Sequence, residues 1–114
     1  MEATKIPFSD WEKIDLRVGK ILNVEDHLKA DKLYILTVDL GKEIGEKTIV
    51  AGLRKAYSKE QLKHKHGIFI VNLEPVILRG VKSEGMTLAA SNEDHSLVTI
   101  LTTLENIAPG SKVG

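Results

Sequence analysis

Two stretches decide the fold: Ile14-Asp-Leu-Arg-Val-Gly-Lys-Ile-Leu-Asn-Val24 and Leu33-Tyr-Ile-Leu-Thr-Val-Asp-Leu40. In the first, Ile14, Leu16, Val18, Leu22 and Val24 share one parity, while Asp15, Arg17 and Asn23 take the other. This period of two marks a half-buried strand, with Gly19 a bulge or a close approach. The second puts Tyr34, Leu36, Val38 and Leu40 on one face, and Gly41 begins a turn toward a third strand at Lys47-Thr-Ile-Val-Ala51. Working outward, Ser58-Lys-Glu-Gln61 fits a capping box that opens a helix over Lys59 to Lys65, ended by Gly67. Gly67 to Leu73 is apolar on both parities, as expected of a strand covered on both sides, and Pro75 ends or bends it. Met86-Thr-Leu-Ala-Ala-Ser91 and Leu97-Val-Thr-Ile-Leu101 read as later strands, with a turn at Pro109-Gly110. Upstream, Ser9-Asp-Trp-Glu12 is a second capping-box match and predicts a short helical turn. Three strands, a short helix and further strands is the order of an all-β, five-stranded Greek-key barrel of the OB type, here with extra terminal elements. A β-sandwich is the alternative.

Composition narrows what such a barrel could do. The 114 residues, 42% of them hydrophobic, predict one domain over residues 1–114, large enough to fold without a staple. No cysteine is present, so disulfides and thiolate metal sites are excluded. The apolar runs fall far short of the roughly 20 residues of a membrane span. Met1-Glu-Ala-Thr-Lys-Ile-Pro7 lacks the basic and apolar regions of a secretory leader, which favours the cytoplasm. Sixteen Lys and Arg balance sixteen Asp and Glu, evenly along the chain, so only a local basic patch could hold nucleic acid.

No catalytic set emerges. Gly80-Val-Lys-Ser-Glu-Gly85 lacks the Lys that a Walker A loop needs after its second Gly, and Ser83 stands one place too late for a nucleophile elbow. His27, His64, His66 and His95 make no zinc-type pair and read as solvated surface residues, so neither a metal nor another cofactor is expected. Glu25-Asp26 and Glu93-Asp94 read as loop acids.

Specific words in the sequence go further. Trp11-Glu-Lys-Ile-Asp-Leu-Arg-Val-Gly-Lys-Ile21, Ala30-Asp-Lys-Leu-Tyr34 with Val38-Asp39, Ile49-Val-Ala-Gly-Leu53, Asn72-Leu-Glu-Pro75, Leu78-Arg-Gly80, Ser83-Glu-Gly-Met86 and Leu88-Ala-Ala90 occur in this order. Together they resemble the tRNA-binding domain family. That family includes the C-terminal or beta-subunit domain of methionyl-tRNA synthetase, free-standing structure-specific tRNA-binding proteins and the endothelial-monocyte-activating polypeptide. The resemblance implies an OB barrel, a homodimer built through the terminal segments, and a non-catalytic role in gripping tRNA by its shape. It points to a stand-alone beta subunit that delivers or retains tRNA for the methionyl-tRNA synthetase catalytic subunit. Export chaperones share many of the same words, which makes a dimer binding polypeptide segments the second reading. The chain departs from the family at His27-Leu28, where His-Pro is usual, and at Glu74, where Lys is frequent.

The resemblance implies that Ser83 and Met86 lie at the nucleic-acid face, where a hydroxyl can bond a phosphate or 2′-OH and a thioether can pack on a base. Lys32, Arg54, Arg79 and Lys82 are phosphate candidates, each weighed against a solvated charge. Arg17 projects from the first strand away from the core, where the OB ligand surface also lies, and is a further tRNA-binding candidate, with an ion pair to Asp15 or a neighbouring acid as the alternative. Asn72 either satisfies backbone groups or presents a base-reading edge. Tyr34 shares parity with Leu36 and Val38 and is assigned to the core. With only five aromatic residues the chain is a poor stacking platform, so shape recognition of folded RNA fits better.

Overall fold

A computed structural model describes residues 4–114; residues 1–3, part of the stretch read above for a leader, lie outside the described residues. The elements are α1 (Phe8–Trp11), β1 (Leu16–Asp26), β2 (Tyr34–Asp39), α2 (Gly41–Ile44), β3 (Glu46–Ala51), α3 (Lys59–Leu62) and β4 (His66–Ile70). They are followed by β5 (Val76–Leu78), β6 (Val81–Ser83), β7 (Met86–Thr87), β8 (Ala89–Ser91), β9 (Val98–Ile100) and β10 (Lys112–Val113). The main sheet is antiparallel in the order β3-β2-β1-β4-β7, with β10 added beside β1. It curls until β3 meets the segment after β6: Glu84 N donates to Thr48 O at 2.8 Å and Thr48 N donates to Glu84 Oε1 at 3.1 Å. The result is a nearly closed, OB-type barrel.

Its interior follows the alternation read from the sequence. Tyr34, Leu36 and Val38 of β2 are buried, and Phe69, Ile21, Ile49 and Leu62 have no exposed surface. Each such side chain contributes about 1.5–3 kcal/mol relative to an exposed one. The Tyr34 hydroxyl donates to Tyr57 O at 2.8 Å, so the one polar atom that this core tyrosine carries is satisfied. Gly19 is a close approach. A Cβ there would stand 2.6 Å from Val38 and 2.9 Å from Phe69, inside the contact distance of any real side chain.

Several expectations need correction. The parity of β1 breaks because the register to β2 shifts between Ile21 and Asn23. Leu22 is the extra residue of that bulge and only half-buried, so Ile21 takes the core position assigned to it. Ser58 does form the capping box, but α3 ends at Leu62 instead of Lys65. His64 turns left-handed (φ 71°) and its N–H goes to Ile21 O, which hands the chain directly to β4. Helix α1 starts on Pro7 without a side-chain cap, so the Ser9–Glu12 capping box does not form. The fourth strand stops at Ile70, where Val71 N turns to Asp15 O. The expected strand over Met86 to Ser91 is split at Leu88, whose N–H serves Ile68 while its carbonyl serves Leu101. Helix α2 and the β5–β6 hairpin were not expected. The hairpin turns at Arg79-Gly80, both at positive φ (51° and 88°), the left-handed pair that a two-residue hairpin turn requires. No helix among the described residues is long and apolar enough to cross a membrane.

Candidate nucleic-acid interface

At one end of the barrel three segments converge: the β1–β2 loop (residues 27–33), the stretch after β3, and the β8–β9 turn. Between them lies an open groove of about 450 Å³ lined by Lys32, Lys55, Ala56, His95, Leu97 and Val98. A second hollow of about 170 Å³ adjoins it, sharing Gly52 and Val98, with Met86, Thr87 and Ala89 on its wall. The hydroxyl of Thr87 is buried without a hydrogen-bond partner in the chain. A hollow with apolar walls that adjoins a groove bearing lysines can accept a flat ring with an anionic group beside it.

The β5–β6 hairpin stands next to this end. Its root is fixed by Ser83, whose hydroxyl accepts from Val50 N at 2.9 Å and donates to Gly85 O at 3.0 Å. Its tip is fixed by His27, whose Nε2 lies 2.9 Å from Leu78 O. The hairpin carries Arg79 and Lys82, both exposed. Among the described residues, neither these two nor Lys32 and Lys55 have an acidic partner within 4.0 Å. Four unpaired cations on a groove and its adjoining hairpin form a local basic patch on a neutral chain, the arrangement that phosphate binding needs.

Against this geometry stand the comparisons with known proteins. The family described as "Putative tRNA binding domain" matches residues 16–112. The chain belongs to the tRNA-binding domain family. A methionine-tRNA ligase of Pyrococcus horikoshii is 51% identical over 112 residues, which cover 98% of this chain and 15% of that protein. The chain thus spans about 15% of the length of that ligase. Among solved structures, the "MetRS related protein" of Pyrococcus horikoshii superposes with a TM-score of 0.88 at 33% identity, over 100% of both chains. The chaperone CsaA of Bacillus anthracis gives a TM-score of 0.88 at 28% identity, over 97% of this chain and 100% of that one.

Within this tRNA-binding domain the residues singled out from sequence fall into two groups. Lys32, Arg79, Lys82 and Met86 are exposed around the groove and hairpin. Arg54 lies beside them but is engaged, with Nε 3.5 Å from Asp26 Oδ1, a carboxylate that also pairs with Lys59. The others are engaged within the chain. Ser83 is buried, and both its neighbours are backbone groups, so its hydroxyl faces the barrel seam and not solvent. Arg17 donates from Nε to Asp15 at 2.7 Å and from Nη1 to Gly110 O at 3.1 Å, and the hydrogen bond to Asp15 raises its pKa above the ordinary value. Asn72 accepts from Asp15 N at 2.8 Å and donates to Lys13 O at 2.6 Å, fastening the N-terminal segment to the end of β4.

Lys55 and the buried His27 escaped the sequence reading. Lys55 directly follows Arg54, and nothing in that dipeptide says which of the two an acid across the loop will capture. His27, read as solvated, is only 2% exposed, because the hairpin that covers it was not anticipated.

Proposed function

We propose that this chain is a non-catalytic module that binds tRNA through the groove and hairpin and delivers or retains it for aminoacylation by methionyl-tRNA synthetase. The observation that carries this reading is the set of unpaired cations, Lys32, Lys55, Arg79 and Lys82, gathered on one end of a neutral domain. Phosphates spaced along a folded RNA supply the matching charge, and the exposed Met86 offers a base or ribose an apolar wall. Membership of the family supports tRNA as the ligand. In this reading the chain works beside a synthetase as a beta subunit in the cytoplasm, and its likeness to the MetRS-related protein supports that association. A tethered module raises the local concentration of tRNA without adding chemistry of its own.

The module works as a homodimer in this reading. Ile6, Phe8, Leu104 and Ile107 of the terminal segments are exposed apolar side chains, and a second copy would cover them. Sedimentation analysis tests this, a mass of two chains being expected. A second function, holding polypeptide segments, has its own support: the likeness to CsaA and the exposed Ile77 and Leu97 beside the hairpin and groove. Gel shift against bulk tRNA separates the two. Binding that weakens with salt and competes with client protein is expected; suppression of client aggregation indifferent to added tRNA would favour the chaperone role.

A further inference from the structure

His27 lies in the β1–β2 loop, buried, and takes no part in the core or in the proposed phosphate contacts. Its two ring nitrogens have opposite partners. Nε2 lies 2.9 Å from the Leu78 carbonyl, which can only accept, so Nε2 carries the proton. Nδ1 is 3.1 Å from Lys29 N, which can only donate, so Nδ1 is the bare acceptor. A neutral imidazole of one tautomer satisfies both. The Nε2 bond is the single hydrogen bond between the β1–β2 loop and the β5–β6 hairpin among the described residues. It falls on Leu78, the residue before the Arg79-Gly80 turn.

We infer that His27 is a positioning residue of the nucleic-acid face. Its Nε2–H latches the hairpin that carries Arg79 and Lys82 to the loop that carries Lys32, so that both sets of cations meet the ligand at one fixed spacing. The inference rests on the tRNA-binding reading for its consequence, but the latch itself does not. Without the bond the hairpin is held on the β3 side, through β6, Ser83 and Glu84, and its tip, whose β5 residues are all exposed, samples positions off the loop. A ligand that needs both loops then binds only the fraction of molecules in which they are aligned, and its apparent affinity falls by that fraction.

Two substitutions divide the ring's roles. In His27→Gln the amide nitrogen reaches as far as Nε2 and can donate to Leu78 O, whereas in His27→Asn the side-chain oxygen replaces Nδ1 as the acceptor for Lys29 N but cannot reach the hairpin. Amide hydrogen exchange is measured first on the free protein, then tRNA binding at one fixed salt concentration. His27→Asn is expected to speed exchange at the hairpin amides and weaken tRNA binding about fivefold to tenfold, the loss of one net hydrogen bond, while His27→Gln stays within about twofold of wild type in both. Equal hairpin exchange in the two variants would overturn the latch. If exchange divides as expected but even the wild type fails to bind tRNA, the latch stands and the tRNA-binding reading falls. Should either replacement unfold the domain, the wild-type ring nitrogens still decide by NMR: a proton on Nε2 is expected, and one on Nδ1 would overturn the inference.

Discussion

The two ends of the barrel use similar side chains in opposite ways. At the start of β1, Arg17 and Asn72 are tied into the fold: the arginine bonds Asp15 and the Gly110 carbonyl, and the asparagine bonds backbone of Lys13 and Asp15. There the terminal segments are sewn to the sheet, since Gly110 N also donates to Val18 O and Val18 N to Ser111 O. At the far end, Lys32 and Lys55 on an open groove and Arg79 and Lys82 on the adjoining hairpin have no such partners. The difference teaches that a cation in a motif says little about its role until its partners are known. Charge that is already neutralised inside the chain stabilises it, and charge left open is available to a ligand.

Ser83 offers the strongest way to break that division, because it sits near the open end yet is internal. Ser83→Ala removes the acceptor of the buried Val50 N–H and is expected to lower unfolding free energy by about 1–3 kcal/mol in chemical denaturation. A stable variant that loses only tRNA binding would return Ser83 to the ligand surface. Next in size, Lys55→Glu should weaken tRNA binding about tenfold in titrations while changing stability by less than about 0.5 kcal/mol. Unchanged binding would remove the groove from the interface. Asn72→Ala should do the reverse, costing about 1 kcal/mol of stability with tRNA affinity kept, as checked by melting and binding on one preparation. The smallest effect concerns Asp94, whose pKa is lowered by hydrogen bonds from the side chain and backbone of Ser96. A folded pKa below the unfolded one means that its contribution is present above the ordinary carboxylate range and lost as pH falls through the lowered value. Asp94→Asn should therefore flatten the acid side of the stability curve slightly, with the hairpin otherwise unchanged.

The barrel itself was legible because alternation over β2 reports burial directly, and the family's words ran in register with it. Legibility failed where a position depended on a distant partner. Ile21 and Leu22 are equally apolar, and only the shift of pairing against Val38 and Thr37 decides which one enters the core. The β5–β6 hairpin is built of three-residue strands after Pro75, too short for periodicity to register. In the site, Lys32, Arg79, Lys82 and Met86 were placed by motif and proved open to solvent. Arg17, Asn72 and Ser83 carry the same motif signal but find bonds between segments far apart in sequence.

The most direct test is the salt dependence of tRNA affinity in three proteins: wild type, Lys32→Ala/Arg79→Ala/Lys82→Ala, and Lys42→Ala/Lys112→Ala at the sewn end. The open-end variant should bind weakly and reduce the slope of log affinity against log salt by about 2, each lost phosphate contact removing roughly 0.7–0.9, while the sewn-end variant keeps the wild-type slope. Equal slopes in the two variants would contradict the claim that RNA is met at the open end of the barrel.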